Sequence, residues 1–209
     1  MDVRVRVSGG AGMIVTLLLA SAIYLQPIGD ATPLAETTAV RTALEGFYPA
    51  EVVILPVMPL PTAAYYAPRK RYRAEKLLDA LRPKLPADGV RIIGLTTVDI
   101  STTNDAIYDW GIMGLGDLDG KASVISTFRC KKKAKSPAHA RERLAKVAVH
   151  EVGHTLSLDH CPTPGCIMHD AMGKVATIDT EYDLCPRCRA LLAKAGHVLA
   201  PAKIPWERP

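Results

Sequence analysis

The arrangement of histidines and cysteines between residues 150 and 188 limits the possible folds of this chain more than any other feature. The segment opens with HEVGHTLSLDHC, continues with CPTPGC and closes with CPRC. Imidazole nitrogens and thiolates are side chains that bind zinc readily in proteins. The chain must therefore fold so that distant parts of this segment meet at metal sites.

The HEVGH run predicts an open metal site on a helix. His150 and His154 are four residues apart, so one helical face presents both imidazoles to the same ion. Glu151 lies beside that face and can reach a water at the metal as a general base without being a ligand. His160 is the preferred third ligand, and Asp159 is the competing candidate. Three protein ligands and a water are typical of catalytic zinc.

The cysteines after this helix predict a second, closed site. Cys161 and Cys166 form one close pair, and Cys185 and Cys188 form another. Four thiolates in close pairs are typical of structural zinc, whereas two disulfides are the alternative in an oxidising compartment. We therefore expect two zinc ions per chain, one catalytic and one structural. Cys130 is expected to be a buried apolar residue.

Alternating strand and helix patterns before this segment predict an α/β fold. Their order indicates right-handed crossovers and a mostly parallel sheet. Short apolar runs indicate buried strands at 23–27, 52–57 and 90–98, and apolar stripes indicate helices at 32–46 and 69–82. Thr32 is the expected cap of the first helix, and Ser136 before Pro137 marks the start of the helix that carries HEVGH.

The segment between the last of these strands and the HEVGH helix predicts a hairpin. Residues 108–115 and 122–128 flank the turn-rich sequence GDLDG. We therefore expect this hairpin to give the sheet an antiparallel edge.

Charge and aromatic content narrow the classes of partner. The net charge is +5, but residues 129–146 alone carry eight Lys or Arg and one acid, so the remainder is slightly acidic. Aromatic residues make up 5% of the chain, which leaves little material for stacking on bases. We expect no nucleic-acid partner. The basic stretch 129–146 is interpreted as a solvated loop, with a site for an acidic partner as the alternative.

The first residues resemble an export signal. Arg4 and Arg6 precede the apolar run 13–20, which is followed by the small residues Ala20, Ser21 and Ala22. The run is shorter than the 20 or so residues of a membrane-spanning helix, so no stable span is expected. We predict a signal-like segment at 1–22 and a periplasmic or extracellular protein, with a cytoplasmic location as the alternative.

The stretch from His150 to Cys188 resembles the archaemetzincins, a family of zinc metallopeptidases in the metzincin clan. HEVGHTLSLDHC, CPTPGCIM and CPRC follow the family's order HExxHxxGxxHC, Cys-x4-Cys-x-Met and Cys-x2-Cys. IYLQPIGD, VMPLP, YRAEKLL and LTTVDI extend the similarity over most of the chain. The resemblance implies a metzincin-like twisted mixed sheet with an antiparallel edge strand, which residues 122–128 match, together with packed helices and an active-site helix carrying HExxH.

The resemblance also implies roles for individual residues. Met168 falls at the position of the Met-turn, where the family packs a methionine beneath the three imidazoles. Ser157 departs from the family because it stands where the pattern has glycine. A positive φ at that position would cost a residue with a side chain about 1 kcal/mol. The departure therefore concerns the placement of His160 and the activity more than the fold.

These observations combine into one interpretation. Residues 23–196 are predicted to form a single metzincin-type catalytic domain with a C-terminal four-cysteine zinc segment at 161–188, followed by a tail at 197–209. The predicted function is hydrolysis of peptide bonds in a peptide or protein by a zinc-bound water, with Glu151 as general base, in a monomeric metallopeptidase. The alternative is a non-catalytic, zinc-stabilised protein that binds a peptide or an acidic partner.

Overall fold

The computed structural model describes residues 22–30, 32–197, 199 and 203–207. Within these residues, the strands are β1 (Ala22–Ile28), β2 (Glu51–Ile54), β3 (Tyr65–Tyr66), β4 (Arg71–Arg73), β5 (Gly89–Thr96), β6 (Ile100–Asn104), β7 (Ile107–Ile112), β8 (Gly114–Gly116) and β9 (Ala122–Ser126). The helices are α1 (Leu34–Phe47), α2 (Ala74–Leu81), α3 (Thr127–Cys130), α4 (Pro137–Thr155) and α5 (Pro186–Lys194). The predicted signal-like segment falls outside the described residues, apart from Ala22.

A five-stranded sheet organises the fold in the order β2-β1-β5-β9-β8. Strands β2, β1, β5 and β9 run parallel, whereas β8 runs antiparallel to β9. The mixed α/β class predicted from the alternation of strands and helices is confirmed.

The two faces of this sheet carry separate apolar cores. Side chains alternate between the faces of a strand, and β1 shows this directly. Ile23 and Leu25 join a core with α1 and α4, whereas Tyr24 and Ile28 join a core with α2. Strands covered on both faces are consistently apolar, which explains why the sequence marks β1 and β5 so clearly.

A second sheet was not expected from the sequence. It has the order β3-β4-β6-β7, and its β6–β7 hairpin overhangs one side of the cleft described below. The interpretation of residues 69–82 as one helix is therefore partly wrong. Arg71 and Arg73 belong to β4, and only Ala74–Leu81 are α-helical. Arg71 leaves the helical pattern because its guanidinium lies against the carboxylates of Asp99 and Asp109, at 2.9 and 2.6 Å.

The expected hairpin between residues 108–115 and 122–128 is also corrected. The first of these ranges is divided between β7 in the second sheet and β8 in the first, with Met113 between them. Residues 122–126 form β9, which lies between β5 and β8, so they are an inner strand rather than the edge. The edge position belongs to Gly114–Gly116, which are too short a run to show a strand pattern in the sequence.

The helix that carries HEVGH begins where the sequence predicts. The Ser136 hydroxyl accepts a hydrogen bond from the His139 N–H, and Pro137 occupies the first turn. The buried hydroxyl of Tyr48, at the end of α1, donates to the carbonyl of Val149 over 2.8 Å. α4 is thereby fixed at its start and near the end that carries HEVGH. The first helix differs from expectation, because its cap position is Pro33 and Thr32 makes no side-chain cap.

Among the described residues, none of the helices is both long and apolar enough to cross a membrane.

Candidate metal centres and cleft

Three imidazoles from α4 and the loop after it converge at the cleft. The potential ligand atoms of His150, His154 and His160 lie within 4.8 Å of one another. The Nε2 atoms of His150 and His154 are 3.0 Å apart. Two nitrogens bound to one tetrahedral zinc at about 2.0–2.1 Å would be about 3.3 Å apart, so this pair fits the ion with little adjustment.

Backbone carbonyls set the orientation of the two helical imidazoles. The Nδ1 atom of His150 donates to the carbonyl of Ile167, and that of His154 donates to the carbonyl of Leu158, each over 2.7 Å. Protonation at Nδ1 leaves a lone pair on Nε2, which is the form that binds metals. Burial lowers the pKa of His150 to about 3, so this imidazole is neutral at physiological pH.

A buried carboxyl, that of Glu151, accompanies the imidazoles. Its side chain is buried, lines the same cavity as the imidazoles and contacts β8. A Cβ on Gly114 would lie 2.5 Å from the Glu151 carboxylate, and a Cβ on Gly116 would overlap the backbone of α4. These two glycines are needed because they let the edge strand approach the helix. Burial raises the pKa of Glu151 to about 8, and a hydrogen bond from the backbone of Gly116 opposes that shift.

Met168 lies beneath the HEVGH helix. It is fully buried, and a Cβ on Gly153 would be only 2.5 Å from its sulfur. Gly153, the glycine inside the motif, therefore makes room for the side chain of Met168. Since Ile167 also orients His150, residues 167 and 168 together support the site from below.

Ser157 adopts the backbone conformation for which glycine is the usual choice. Its φ is +68°, in the left-handed region. The Ser157 hydroxyl donates to the carboxylate of Asp119 over 2.7 Å, and the Asp119 N–H donates to the carbonyl of His154. The serine therefore gains a hydrogen bond that glycine cannot make. This contact joins the end of α4 to the turn between β8 and β9.

The four paired cysteines form a second cluster. Their sulfurs lie within 4.8 Å of one another, and those of Cys161 and Cys185 are 3.7 Å apart, as are those of Cys166 and Cys188. Sulfurs on one tetrahedral zinc at about 2.3 Å would be about 3.8 Å apart, whereas disulfide sulfurs are separated by about 2.05 Å. All four are free thiols, so the donor set fits a closed zinc site. Cys130 is buried and separate, as expected.

The two clusters are joined through the backbone. Cys161 directly follows His160, and its N–H donates to the carbonyl of Met168 over 2.7 Å. The cysteine segment therefore holds both the third imidazole and the methionine beneath the other two.

The cleft that the three histidines line has a volume of about 780 Å³. Its wall includes the three histidines, Glu151 and the glycines of β8. Asp159 also faces this cavity but does not belong to the converging group of ligand atoms. A further carboxylate, Glu181, lines the cavity and was missed from the sequence, because a single acid in a turn carries no spacing signal.

The basic stretch is less open than its sequence indicates. Arg129 pairs with Asp99 at 2.7 Å, Arg143 with Asp179 at 2.6 Å, and the buried Lys146 with a glutamate at 2.7 Å. Its exposed cations lie in the loop at 131–135. The basic surface available to an acidic partner is therefore much smaller than the number of Lys and Arg residues at 129–146 indicates.

An α/β fold with an HExxH helix, a third histidine after a turn and a methionine beneath them defines a zinc metallopeptidase of the metzincin type. The profile of Peptidase family M54 matches residues 49–194, and the chain belongs to this family, that of the archaemetzincins.

Similar proteins cover most of the chain. It is 34% identical over 178 residues to archaemetzincin from Haloquadratum walsbyi, which covers 81% of this chain and 98% of that protein. The archaemetzincin from Archaeoglobus fulgidus is 33% identical over 170 residues, with 79% and 95% covered. The crystal structure of the Methanopyrus kandleri archaemetzincin has a TM-score of 0.72 at 27% identity, covering 87% of this chain and 98% of its own.

Proposed function

We propose that His150, His154 and His160 hold the catalytic zinc and that Glu151 is the general base for hydrolysis of a peptide bond. The observation that carries the proposal is the convergence of three imidazoles in one cavity with a buried carboxyl beside them. The Nδ1 atoms of the two helical histidines are already bonded to carbonyls, so their Nε2 atoms are available for a metal.

The protein groups then have separate tasks in the reaction. His150, His154 and His160 would hold the zinc, which would supply a Lewis acid able to polarise a carbonyl and to lower the pKa of a water to about 7. Glu151 accepts a proton from the attacking water and returns it to the amine that leaves. Its burial against β8 keeps the carboxyl on one side of the cavity. The edge of β8 can align an extended substrate by main-chain hydrogen bonds.

The four-cysteine cluster is proposed as the site of a second zinc, with a structural task. It has no open position, because four thiolates complete a tetrahedron. Metal there would hold Cys161 and Cys166 against α5 and would thereby support the turn that contains Met168. The expected content is two zinc ions per chain.

The change Glu151→Gln tests the catalytic assignment. It preserves the size of the side chain and all three imidazoles but removes the base. Peptide hydrolysis should fall by about 10²- to 10⁴-fold, with zinc content unchanged by elemental analysis. Asp159→Asn is the matched control, because it removes a cleft carboxylate that the proposal does not use.

The control also distinguishes the two candidate third ligands. Loss of one zinc in Asp159→Asn, with zinc retained in His160→Ala, would assign the ligand to Asp159. Equal hydrolysis by wild type and Glu151→Gln would refute the general-base role. Failure of the zinc-loaded wild type to cleave any member of a diverse peptide library would favour the non-catalytic peptide-binding alternative.

We also propose that residues 1–22 direct export, that residues 23–196 act as one domain and that the protein is a monomer. Removal of residues 1–22 would take only Ala22 from β1. N-terminal sequencing of the native protein tests export, and an intact Met1 would refute it. Light scattering of the purified protein tests the monomeric state.

A further inference from the structure

One carboxylate in the cleft has no place in the mechanism above. Glu181 follows the turn at Thr177–Thr180 and lines the same cavity as His150 and Glu151. The residue is only 3% exposed, and its Oε1 atom has no hydrogen-bond partner among the described residues. Burial of a carboxyl oxygen without a hydrogen-bond partner is costly, so such a group calls for a function.

The neighbouring cations are already engaged. The ammonium of Lys146 lies 2.7 Å from the Glu142 carboxylate and also donates to the carbonyl of Ile178. Arg143 makes two bonds to Asp179, of 2.6 and 2.7 Å. Burial raises the pKa of Glu181 to about 8 despite the charge of Lys146, as expected for a carboxyl that lacks a close counter-ion. Glu181 is therefore the acid of this group that has no cation paired with it, and a cation brought into the cavity would favour its charged form.

The wall of the cavity that contains the three histidines and Glu181 also includes apolar side chains. Val147 precedes His150 by three residues and so lies one turn away on the same side of α4. Val147 and Ile178 are both buried and both line the cavity. An apolar wall that includes a carboxylate suits a side chain with a long aliphatic stem and a cationic tip.

We propose that Glu181 is a specificity-determining residue that binds the ammonium or guanidinium of a lysine or arginine side chain in the substrate. The bound side chain would lie along Val147 and Ile178 and would fix the adjacent peptide bond near the three histidines. This inference rests on the proposed function, because it assigns a substrate class to that same cleft.

Matched peptides test the proposal. A set of acetylated and amidated pentapeptides places lysine, arginine or norleucine at each position in turn among alanines. Zinc-loaded wild type should cleave the best basic peptide about 10- to 100-fold more efficiently, by kcat/KM, than its norleucine counterpart, as expected for a charge-assisted hydrogen bond. Glu181→Gln should reduce this ratio to about one.

A binding measurement makes the test independent of turnover. In the Glu151→Gln background, calorimetry should show the same preference for basic peptides, and Glu181→Gln should abolish it. If no peptide is cleaved but this preference is present, the proposed function fails and the assignment of Glu181 stands. If peptides are cleaved without a basic preference, the assignment of Glu181 fails alone.

Two controls exclude simpler explanations. Asp105→Asn removes an exposed carboxylate that lines the same cavity, and it should leave the ratio between basic and norleucine peptides unchanged. An equal loss of the ratio in this variant would mean that general charge attraction causes the preference, and would overturn the proposal.

The second control concerns Lys174, an exposed cation in the wall of the cavity. A basic preference that emerges only in Lys174→Ala would show that Lys174 neutralises Glu181, which would also overturn the proposal. A parallel set of peptides without the acetyl group tests the amino terminus. A preference for these peptides, instead of for a basic side chain, would assign Glu181 to the terminal amine and would overturn the proposal.

Discussion

The change Gly153→Ala should destabilise the protein, although alanine normally stabilises a helix. A Cβ at this position would be 2.5 Å from the sulfur of Met168 and 3.1 Å from its methyl carbon. Overpacking of this kind costs about 1 to 3 kcal/mol, and the greater helix propensity of alanine returns about 1 kcal/mol. The expected result is a net loss of about 1 kcal/mol. For a protein of this size, the loss corresponds to a melting temperature about 2 to 4 °C lower.

A double-mutant cycle isolates the cause. Met168→Ala removes the atoms that the new Cβ would overlap, so Gly153→Ala should stabilise the protein by up to about 1 kcal/mol in that background. Thermal and urea unfolding of zinc-loaded protein measure both effects. The reasoning is refuted if Gly153→Ala raises the melting temperature of the wild type, or if the two changes are additive. Either outcome would mean that Met168 is not packed against the motif glycine.

Three further predictions follow from contacts described above. Cys185→Ser should lower zinc content and melting temperature together, because a closed site contributes its binding free energy to folding; unchanged zinc by elemental analysis would contradict the four-thiolate site. Hydrogen bonds from Arg143 chiefly hold the pKa of Asp179 at about 2. The pKa of an aspartate in the unfolded chain is about 3.9, so this stabilisation is present above a pH of about 4 and is lost as the pH falls towards 2. Urea unfolding across that range should show that the free energy of unfolding falls less steeply for Asp179→Asn than for wild type. Ser157→Gly should change stability little, because relief of left-handed strain offsets the lost bond to Asp119, whereas Ser157→Ala should cost about 1 kcal/mol; an unchanged melting temperature for Ser157→Ala would show that the hydroxyl bond contributes nothing.

Long, regular patterns were predictable from the sequence. The apolar strands of the parallel sheet and the capped start of α4 follow from rules about periodicity and capping, which act over many residues or through one strong local bond. The spacing of the seven ligand candidates predicted two groups because metal coordination allows few arrangements. The structure brings together the three histidines and, separately, the four cysteines.

The second sheet was not predictable in the same way. Its strands β3 and β4 contain two and three residues, too few to show a period of two, and the same holds for the three residues of β8 at the edge of the first sheet. The helical stripe of the neighbouring residues predicts a helix at Arg71 and Arg73, yet tertiary ion pairs and hydrogen bonds hold both residues in a strand. Glu181 was missed for a related reason. Its position in the cavity depends on a turn far along the chain from the helix it faces. A contact between such distant segments leaves no local pattern in the sequence.

The direct succession of His160 and Cys161 has a consequence for how this chain can vary. Surface connections usually accept inserted residues, because a loop can bulge into solvent. Here one peptide unit separates two clusters, and one additional residue would introduce up to about 3.8 Å of chain, more than the length of a zinc–ligand bond. Neither cluster could absorb that length without releasing a ligand. Insertions and deletions should therefore be excluded at this junction, and the two clusters can only be transferred to another scaffold as a single cassette.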